Sequence, residues 1–149
     1  MKKSIPNEIL LPEAARLINE GHTVTITVRG NSMNPFLVDS RDKITLGAFA
    51  PEDLQPGAAV LARDTTGRIL FHRIIRRNGE ALILQGDGNP GQTEETSISQ
   101  VMGLMTEAIR KEKRYPADGK TWKRYSRWWI RLKPLRRYLL ALFRRIENN

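Results

Sequence analysis

One serine and one histidine are placed where they could perform nucleophilic catalysis together. Ser32 lies in the segment Gly30-Asn31-Ser32-Met33-Asn34-Pro35, between a flexible glycine and a rigid proline and just past a strand-like run. His72 follows forty residues later, within Phe71-His72-Arg73-Ile74-Ile75. A serine hydroxyl is a poor nucleophile until a neighbouring base takes its proton, and a neutral imidazole is such a base near pH 7. The two residues therefore predict a serine-type hydrolytic site, provided that the fold brings them together.

Strands are expected to carry both residues. The run His22–Val28 alternates strictly, with Val24, Ile26 and Val28 on one face, which is typical of a half-buried strand that ends just before Ser32. A second run, Arg68–Ile75, contains His72 and is followed by Asn78-Gly79, a strong hairpin signal.

The rest of the first hundred residues is also strand-like, apart from one short helix. The helix is predicted over Leu11–Gly21, with Pro12 at its first position and Gly21 at its C-terminal cap. Short strands with hairpin turns and no alternating helices predict a mainly β fold, either an antiparallel sheet or a small barrel. The remaining strands are expected over Asp42–Leu46, Ala58–Ala62, Ala81–Gln85 and Ile98–Met105.

Charge divides the chain into a near-neutral body and a cationic tail. Residues 1–109 hold 11 Lys and Arg against 13 Asp and Glu, whereas residues 110–149 hold 14 against 3. We therefore expect a core domain over 1–109 and a basic tail over 110–149, with an anionic partner for the tail. There is no cysteine, which excludes thiol catalysis and disulfides.

The tail is predicted to be amphipathic and helical. Apolar residues recur at helical spacing from Thr121 to Ile146, which predicts one helix, or two joined near Pro134. Three partners remain open for its apolar side: an anionic membrane surface, the body or another protein, and nucleic acid, which is the least favoured. The residues expected on that apolar side are Trp128, Leu132, Leu135, Leu139 and Leu142.

No stretch of the sequence is apolar enough to cross a bilayer. Met1-Lys2-Lys3 looks like the start of a signal peptide, but Pro6, Glu8 and Pro12 interrupt the apolar region that should follow. We therefore expect the protein in the cytoplasm or peripherally on the cytoplasmic face of the membrane.

Five segments, taken in order, resemble the clan of type I signal peptidases and self-cleaving SOS-type repressors. Gly30–Leu37 looks like the nucleophile segment of signal peptidases, and Leu54–Leu61 looks like the turn into their next strand. His72–Ile75 matches the segment in which endoplasmic-reticulum and archaeal-type members carry a histidine base, where most bacterial members carry lysine. Gly86-Asp87-Gly88-Asn89 matches the family's Gly-Asp-Asn-Asn loop, and Val101–Leu104 resembles the strand that closes its core.

The resemblance implies a peptidase core with Ser32 as nucleophile, His72 as general base and Asp87 as the residue that orients the imidazole. The Ser32 backbone N–H is a candidate oxyanion donor. Histidine-type members carry a second acidic residue a few positions beyond the first, and here only Glu94 or Glu95 could take that place. No metal-binding or phosphate-binding motif accompanies these residues, so we expect a site without cofactor or metal.

The function expected from these features is a serine endopeptidase that cleaves a leader, signal-like or propeptide segment. The alternative is a catalytically inactive peptide-binding module of the same fold, which the imperfect acidic set motivates. A self-cleaving repressor is disfavoured because about 20 residues precede the first predicted strand, too few for a DNA-binding domain.

Overall fold

The computed structural model describes residues 7–147, so that Met1–Lys3, the segment that looks like the start of a signal peptide, lies outside the described residues. Its helices are α1 (Asn7–Asn19), α2 (Lys120–Arg131) and α3 (Arg136–Glu147). Its strands are β1 (Val24–Thr27), β2 (Lys43–Gly47), β3 (Ala59–Arg63), β4 (Ile69–Asn78), β5 (Ala81–Gln85), β6 (Glu94–Ser97), β7 (Val101–Arg110) and β8 (Lys113–Pro116).

The strands form one antiparallel sheet that curls into a half-barrel. Seven of them follow the order β1-β2-β7-β3-β4-β5-β6, and β8 pairs with the C-terminal part of β7. β7 is long enough to pair with β3 near its start and with β2 further on. The expected mainly β fold, with an N-terminal helix and a helical C-terminal segment, is therefore confirmed.

The core has a layer on each face of the sheet because the central strand β3 is buried on both sides. Leu61 belongs to one cluster with Ile44 and Met105, while Val60 belongs to the other with Ile74. Successive side chains of a strand point to opposite faces, so a strand buried on both faces is apolar throughout. This explains why Ala58–Ala62 is an unbroken apolar run.

The N-terminal helix differs from its prediction at one end. α1 begins at Asn7, so Pro12 lies inside the helix, and its predicted place at the first helical position was wrong. Burial of Ala14 and Ile18 against the sheet stabilises the helix in spite of the proline, because tertiary packing outweighs local propensity. The predicted C-terminal cap is confirmed: Gly21 has φ +94°, and the His22 N–H donates to the Leu17 carbonyl oxygen at 3.0 Å.

Two strands of the sheet were not predicted. β6 has the sequence Glu-Glu-Thr-Ser and β8 the sequence Lys-Arg-Tyr-Pro, and neither shows the apolar alternation that marks a half-buried strand. Each is held by pairing with a strongly apolar neighbour, β5 and β7 respectively. β7 also runs on to Arg110, five residues beyond the predicted end.

The tail is two helices joined by a short 3-10 turn, Lys133–Leu135, so the predicted break near Pro134 is confirmed. It is not separate from the body, since Trp122 of α2 belongs to the same cluster as the sheet residues. Of the side chains expected on one apolar side, Leu132 and Leu139 are half-buried, whereas Trp128, Leu135 and Leu142 are exposed. The residues that face the body instead are Trp122, Ser126, Trp129 and Leu140.

Across residues 7–147, no helix has both the length and the apolar character that crossing a bilayer requires.

Asp42 stabilises the segment that leads out of the serine loop. Its buried carboxylate accepts hydrogen bonds from the Val38 N–H at 2.8 Å and the Lys111 N–H at 3.0 Å. Asp42→Ala leaves both donors without a partner, and we expect it to lower the free energy of unfolding by about 1–3 kcal/mol in urea titrations. Asp53→Ala is the matched control, because the exposed Asp53 carboxylate also accepts from a backbone N–H. Equal losses in the two variants would contradict this role for Asp42.

Candidate active site

Ser32 lies on a loop that both strand β1 and the core hold in place. The loop turns at Gly30, whose φ of +80° favours glycine and whose N–H donates to the Asp39 carboxylate at 2.6 Å. The next side chain, Met33, is buried in the core, as is Leu37 further along. Ser32 itself is half-buried.

His72 is a buried residue of β4 and contacts a carboxylate from β6. Its Nδ1 lies 2.5 Å from Glu94 Oε1. The sheet register produces this contact: Ile74 is opposite Leu84 and Leu84 is opposite Glu94, so all three point to the same face. His72 is two residues before Ile74 and shares that face.

Asp87 does not contact the imidazole, and its predicted orienting role is corrected. Both of its carboxylate oxygens accept hydrogen bonds from the Arg73 guanidinium, each at 2.8 Å. Adjacent residues of a strand point to opposite faces, so the Arg73 side chain lies across the sheet from His72. The carboxylate against His72 belongs to Glu94, one of the two glutamates considered for the second acidic position, and Glu95 is exposed.

Ser32 and His72 line one open cavity of about 260 Å³. Glu94 closes it behind the imidazole, and the start of β4 forms one wall. The lining residues are Ser32, Arg68, Ile69, Leu70, His72, Asn89, Gln92 and Glu94. The two sequence-predicted residues are therefore brought together, with a third polar group supplied by a strand that the sequence did not predict.

The glycines of the loop Gly86–Asn89 allow this close approach. A Cβ atom at Gly86 would overlap the Ser32 carbonyl oxygen and come within 3.0 Å of His72 Nε2. The Gly88 N–H donates to the Ser32 carbonyl oxygen at 2.8 Å, and a Cβ atom there would overlap the Asn31 carbonyl oxygen. The loop thus lies directly against the backbone of the serine loop, and only glycine fits at these two positions.

The contact with Glu94 determines which nitrogen of His72 can act as a base. A carboxylate only accepts hydrogen bonds, so Nδ1 carries the proton that it shares with Glu94. In the neutral ring, the lone pair is then on Nε2, the nitrogen close to Gly86 and the serine loop. In the described part of the chain, the buried Glu94 Oε2 has no hydrogen-bond partner, so the hydrogen bonding of this carboxylate is directed at the imidazole.

A buried network connects the loop Gly86–Asn89 to helix α2. Besides accepting from Arg73, the Asp87 carboxylate accepts from the Tyr125 hydroxyl at 2.6 Å, and the Asp87 carbonyl oxygen accepts from Trp129 Nε1 at 2.9 Å. Arg73 also donates to Ser126 Oγ of the same helix. Helix α2 therefore positions the loop that lies between the serine and the histidine.

Burial and charge shift the pKa values of two groups in this network. Burial alone would lower the pKa of Arg73, but the Asp87 carboxylate outweighs it and holds the pKa above its ordinary value. Burial and the same carboxylate raise the pKa of the Tyr125 hydroxyl well above its ordinary value. At neutral pH Arg73 is therefore charged and the Tyr125 hydroxyl is neutral.

The roles of Arg73, Tyr125 and Trp129 were not predicted from the sequence. Arg73 was visible only as the neighbour of His72, and the two aromatic residues only as members of a helical stripe. A buried aspartate needs a cation, and an arginine between the apolar residues Phe71 and Ile74 of the predicted strand is a signal that could have pointed to Arg73.

In residues 7–147, no cluster of three or more His, Asp or Glu side chains is arranged to hold a metal ion. A scan against models of known protein families and a search of curated proteins found no match for this chain.

Tyr125→Phe tests the link between α2 and the loop. We expect the loss of one buried, charge-assisted hydrogen bond to lower the free energy of unfolding by about 1.5–3 kcal/mol at pH 8. Because the pKa of Tyr125 is raised in the folded state, its contribution is complete below the unfolded pKa of about 10 and declines as pH rises above it. The difference between the wild type and Tyr125→Phe should therefore shrink from pH 8 to pH 11 in chemical denaturation.

Tyr138→Phe is the control for this measurement, since the Tyr138 ring is exposed on α3. This variant should match the wild type at both pH values. If Tyr125→Phe unfolds with the wild-type free energy at pH 8, or if its loss of stability is the same at pH 11, the hydroxyl does not stabilise the loop.

Proposed function

We propose that this protein is a serine endopeptidase in which Ser32 is the nucleophile, His72 the general base and Glu94 the residue that orients the imidazole. The observation that carries the proposal is the contact of His72 Nδ1 with Glu94, in a cavity that Ser32 also lines. Ser32, His72 and Glu94 supply the hydroxyl, the imidazole and the carboxylate of a catalytic triad, a constellation that is recognised by geometry rather than by chain order. The resemblance to signal peptidases, drawn from separate sequence segments, supports the same assignment.

The reaction follows from the protonation states. His72 Nε2 takes the proton of the Ser32 hydroxyl as its oxygen attacks the carbonyl carbon of the scissile bond, and the imidazolium is stabilised by Glu94. The imidazolium then gives this proton to the leaving amine, and an acyl-serine remains. Water attacks the acyl-serine with His72 again as the base, which releases the carboxylic acid and restores the serine. The Ser32 N–H is the candidate donor to the developing oxyanion.

The edge of β4 supports a peptide as the substrate. β4 pairs with β3 over Ile69–Arg73, but its pairing with β5 starts only at Arg73. In the described sheet, no strand pairs with Ile69–His72 on the β5 side, and Ile69 and Leu70 line the cavity. An extended peptide that pairs with this edge would place its scissile bond beside Ser32. The small cavity suits small side chains, and the resemblance points to a leader, signal-like or propeptide segment.

The alternative, an inactive peptide-binding module, was motivated by the imperfect acidic set. The Glu94 carboxylate at the imidazole supports the enzyme over this alternative, although Asp87 pairs with Arg73 instead.

A fluorophosphonate probe tests the catalytic assignment, because it labels only an activated serine. We expect the wild type to be labelled and Ser32→Ala not to be. His72→Ala and Glu94→Gln should each slow labelling by about 10²-fold or more, since one lacks the base and the other no longer fixes its tautomer and charge. Glu95→Gln is the matched control, as Glu95 is the exposed neighbour on the same strand, and it should be labelled at the wild-type rate.

Labelling that survives Ser32→Ala would overturn the nucleophile assignment. If folded Glu94→Gln protein is labelled at the wild-type rate, the role of Glu94 is overturned. Peptide binding without labelling of the wild type would favour the inactive module, and mass spectrometry of candidate peptides after long incubation would confirm that outcome by the absence of cleavage products.

A further inference from the structure

The outward side of α3 and of the turn before it carries large apolar side chains that remain more than half exposed. Leu135, Tyr138, Leu142 and Ile146, here named the outer stripe, are 52%, 70%, 55% and 64% exposed. At 3.6 residues per turn, these four positions fall within an arc of about 80°. Arg136 and Leu140, which are buried against the body, lie on the opposite side of the helix. The helix pair therefore has one side that packs on the protein and a second apolar side in solvent.

On α3, cations flank the outer stripe on one side, and no acidic residue lies between positions 119 and 146. Arg145 is about 20° from Tyr138 around the helix, whereas Arg137 and Arg144 lie about 100–120° from Tyr138, towards the side opposite the stripe. Helix α2 carries further exposed cations, and Trp128 adds a ring that is 55% exposed. The exposed cations are Lys120, Lys123, Arg124, Arg127, Arg131, Lys133, Arg137, Arg144 and Arg145.

We propose that this surface binds an anionic lipid bilayer, with the outer stripe inserted at the level of the headgroups and the cations against the lipid phosphates. Charge complementarity selects an anionic partner, and the apolar stripe selects one with an accessible apolar interior. A nucleic acid would satisfy the cations but would leave Leu135, Leu142 and Ile146 in water. Tyr and Trp side chains at the edge of such a surface suit the headgroup region.

Bilayer binding would bring the candidate active site close to the membrane. Arg136 at the start of α3 donates to the Asn89 carbonyl oxygen at 3.4 Å, and Asn89 lines the cavity that contains Ser32. Trp129 binds the same loop through the Asp87 carbonyl oxygen. The side of the helix pair that faces the body thus contacts the loop, while the other side is free for lipid. The proposed lipid binding does not require catalysis and is tested separately from it.

The experiment is co-sedimentation of the full chain with vesicles of phosphatidylcholine containing about one third phosphatidylglycerol, and with vesicles of phosphatidylcholine alone. We expect binding to the anionic vesicles only, and weaker binding as salt rises, because screening shortens the reach of the charges. Leu142→Ser/Ile146→Ser should weaken partitioning by about tenfold or more, since it removes apolar area from the stripe. Ala141→Ser is its control, as Ala141 is exposed on the same helix and its substitution costs a similar helix propensity.

A second pair of variants separates local charge from total charge. Arg144→Glu/Arg145→Glu should weaken binding by about tenfold or more at low salt. Arg29→Glu/Lys111→Glu makes the same change in net charge at exposed positions of the body and should bind within about twofold of the wild type.

Three results would overturn the proposal. One is failure of the wild type to sediment with anionic vesicles at low salt. Another is unchanged binding of the folded Leu142→Ser/Ile146→Ser protein, which would reduce the surface to a nonspecific cation patch. The third is tighter binding to a DNA or RNA duplex than to the vesicles, which would assign the surface to nucleic acid.

Discussion

The buried ion pair of Arg73 and Asp87 is the interaction on which the rest of the structure depends. It joins β4, at the residue after His72, to the loop that lies against the Ser32 backbone. The same guanidinium donates to the Gly57 carbonyl oxygen and to Ser126 Oγ. The turn before β3 and helix α2 therefore meet at this one side chain. The relative positions of the serine, the histidine and α2 are therefore fixed through this pair.

Taking an arginine and an aspartate out of water is costly, and the attraction between them offsets that cost only when the geometry is good and the remaining polar atoms are satisfied. Here the pair is bidentate and Asp87 also accepts from Tyr125, while Arg73 stacks on the rings of Tyr125 and Trp122, with its guanidinium carbon 4.6 Å from the Trp122 ring centre. Removing one partner would strand the other charge in the core at a cost of about 3–5 kcal/mol. Such a pair holds the site rigidly because partial opening is unfavourable.

The sequence predicts elements better than it predicts which side chains meet. Ala81–Gln85 was predicted with its exact bounds because its apolar run and the preceding Asn78-Gly79 turn agree. The strand that contains Glu94 has no such pattern, and its contacts with β5 and with the end of β3 hold it in the sheet. Asp87 was assigned to His72 from the resemblance of its loop, because the sequence does not show on which face of β4 that loop places its carboxylate. The contact between His72 and Glu94 depends on register across three strands, which only the folded sheet determines.

The prediction of the tail from its sequence was limited in the same way. Its periodicity predicted helices and the break near Pro134, but a stripe of apolar residues does not reveal whether it faces the protein or its surroundings. Trp128 and Trp129 are adjacent and therefore point about 100° apart around α2. Trp129 is buried and bonded to the loop at Asp87, whereas Trp128 is exposed among arginines. Since one helix pair carries both surfaces, any contact made outside is held at a fixed distance from the loop beside Ser32. The packing that orders the candidate site thereby also determines how that site is presented to whatever binds the outer surface.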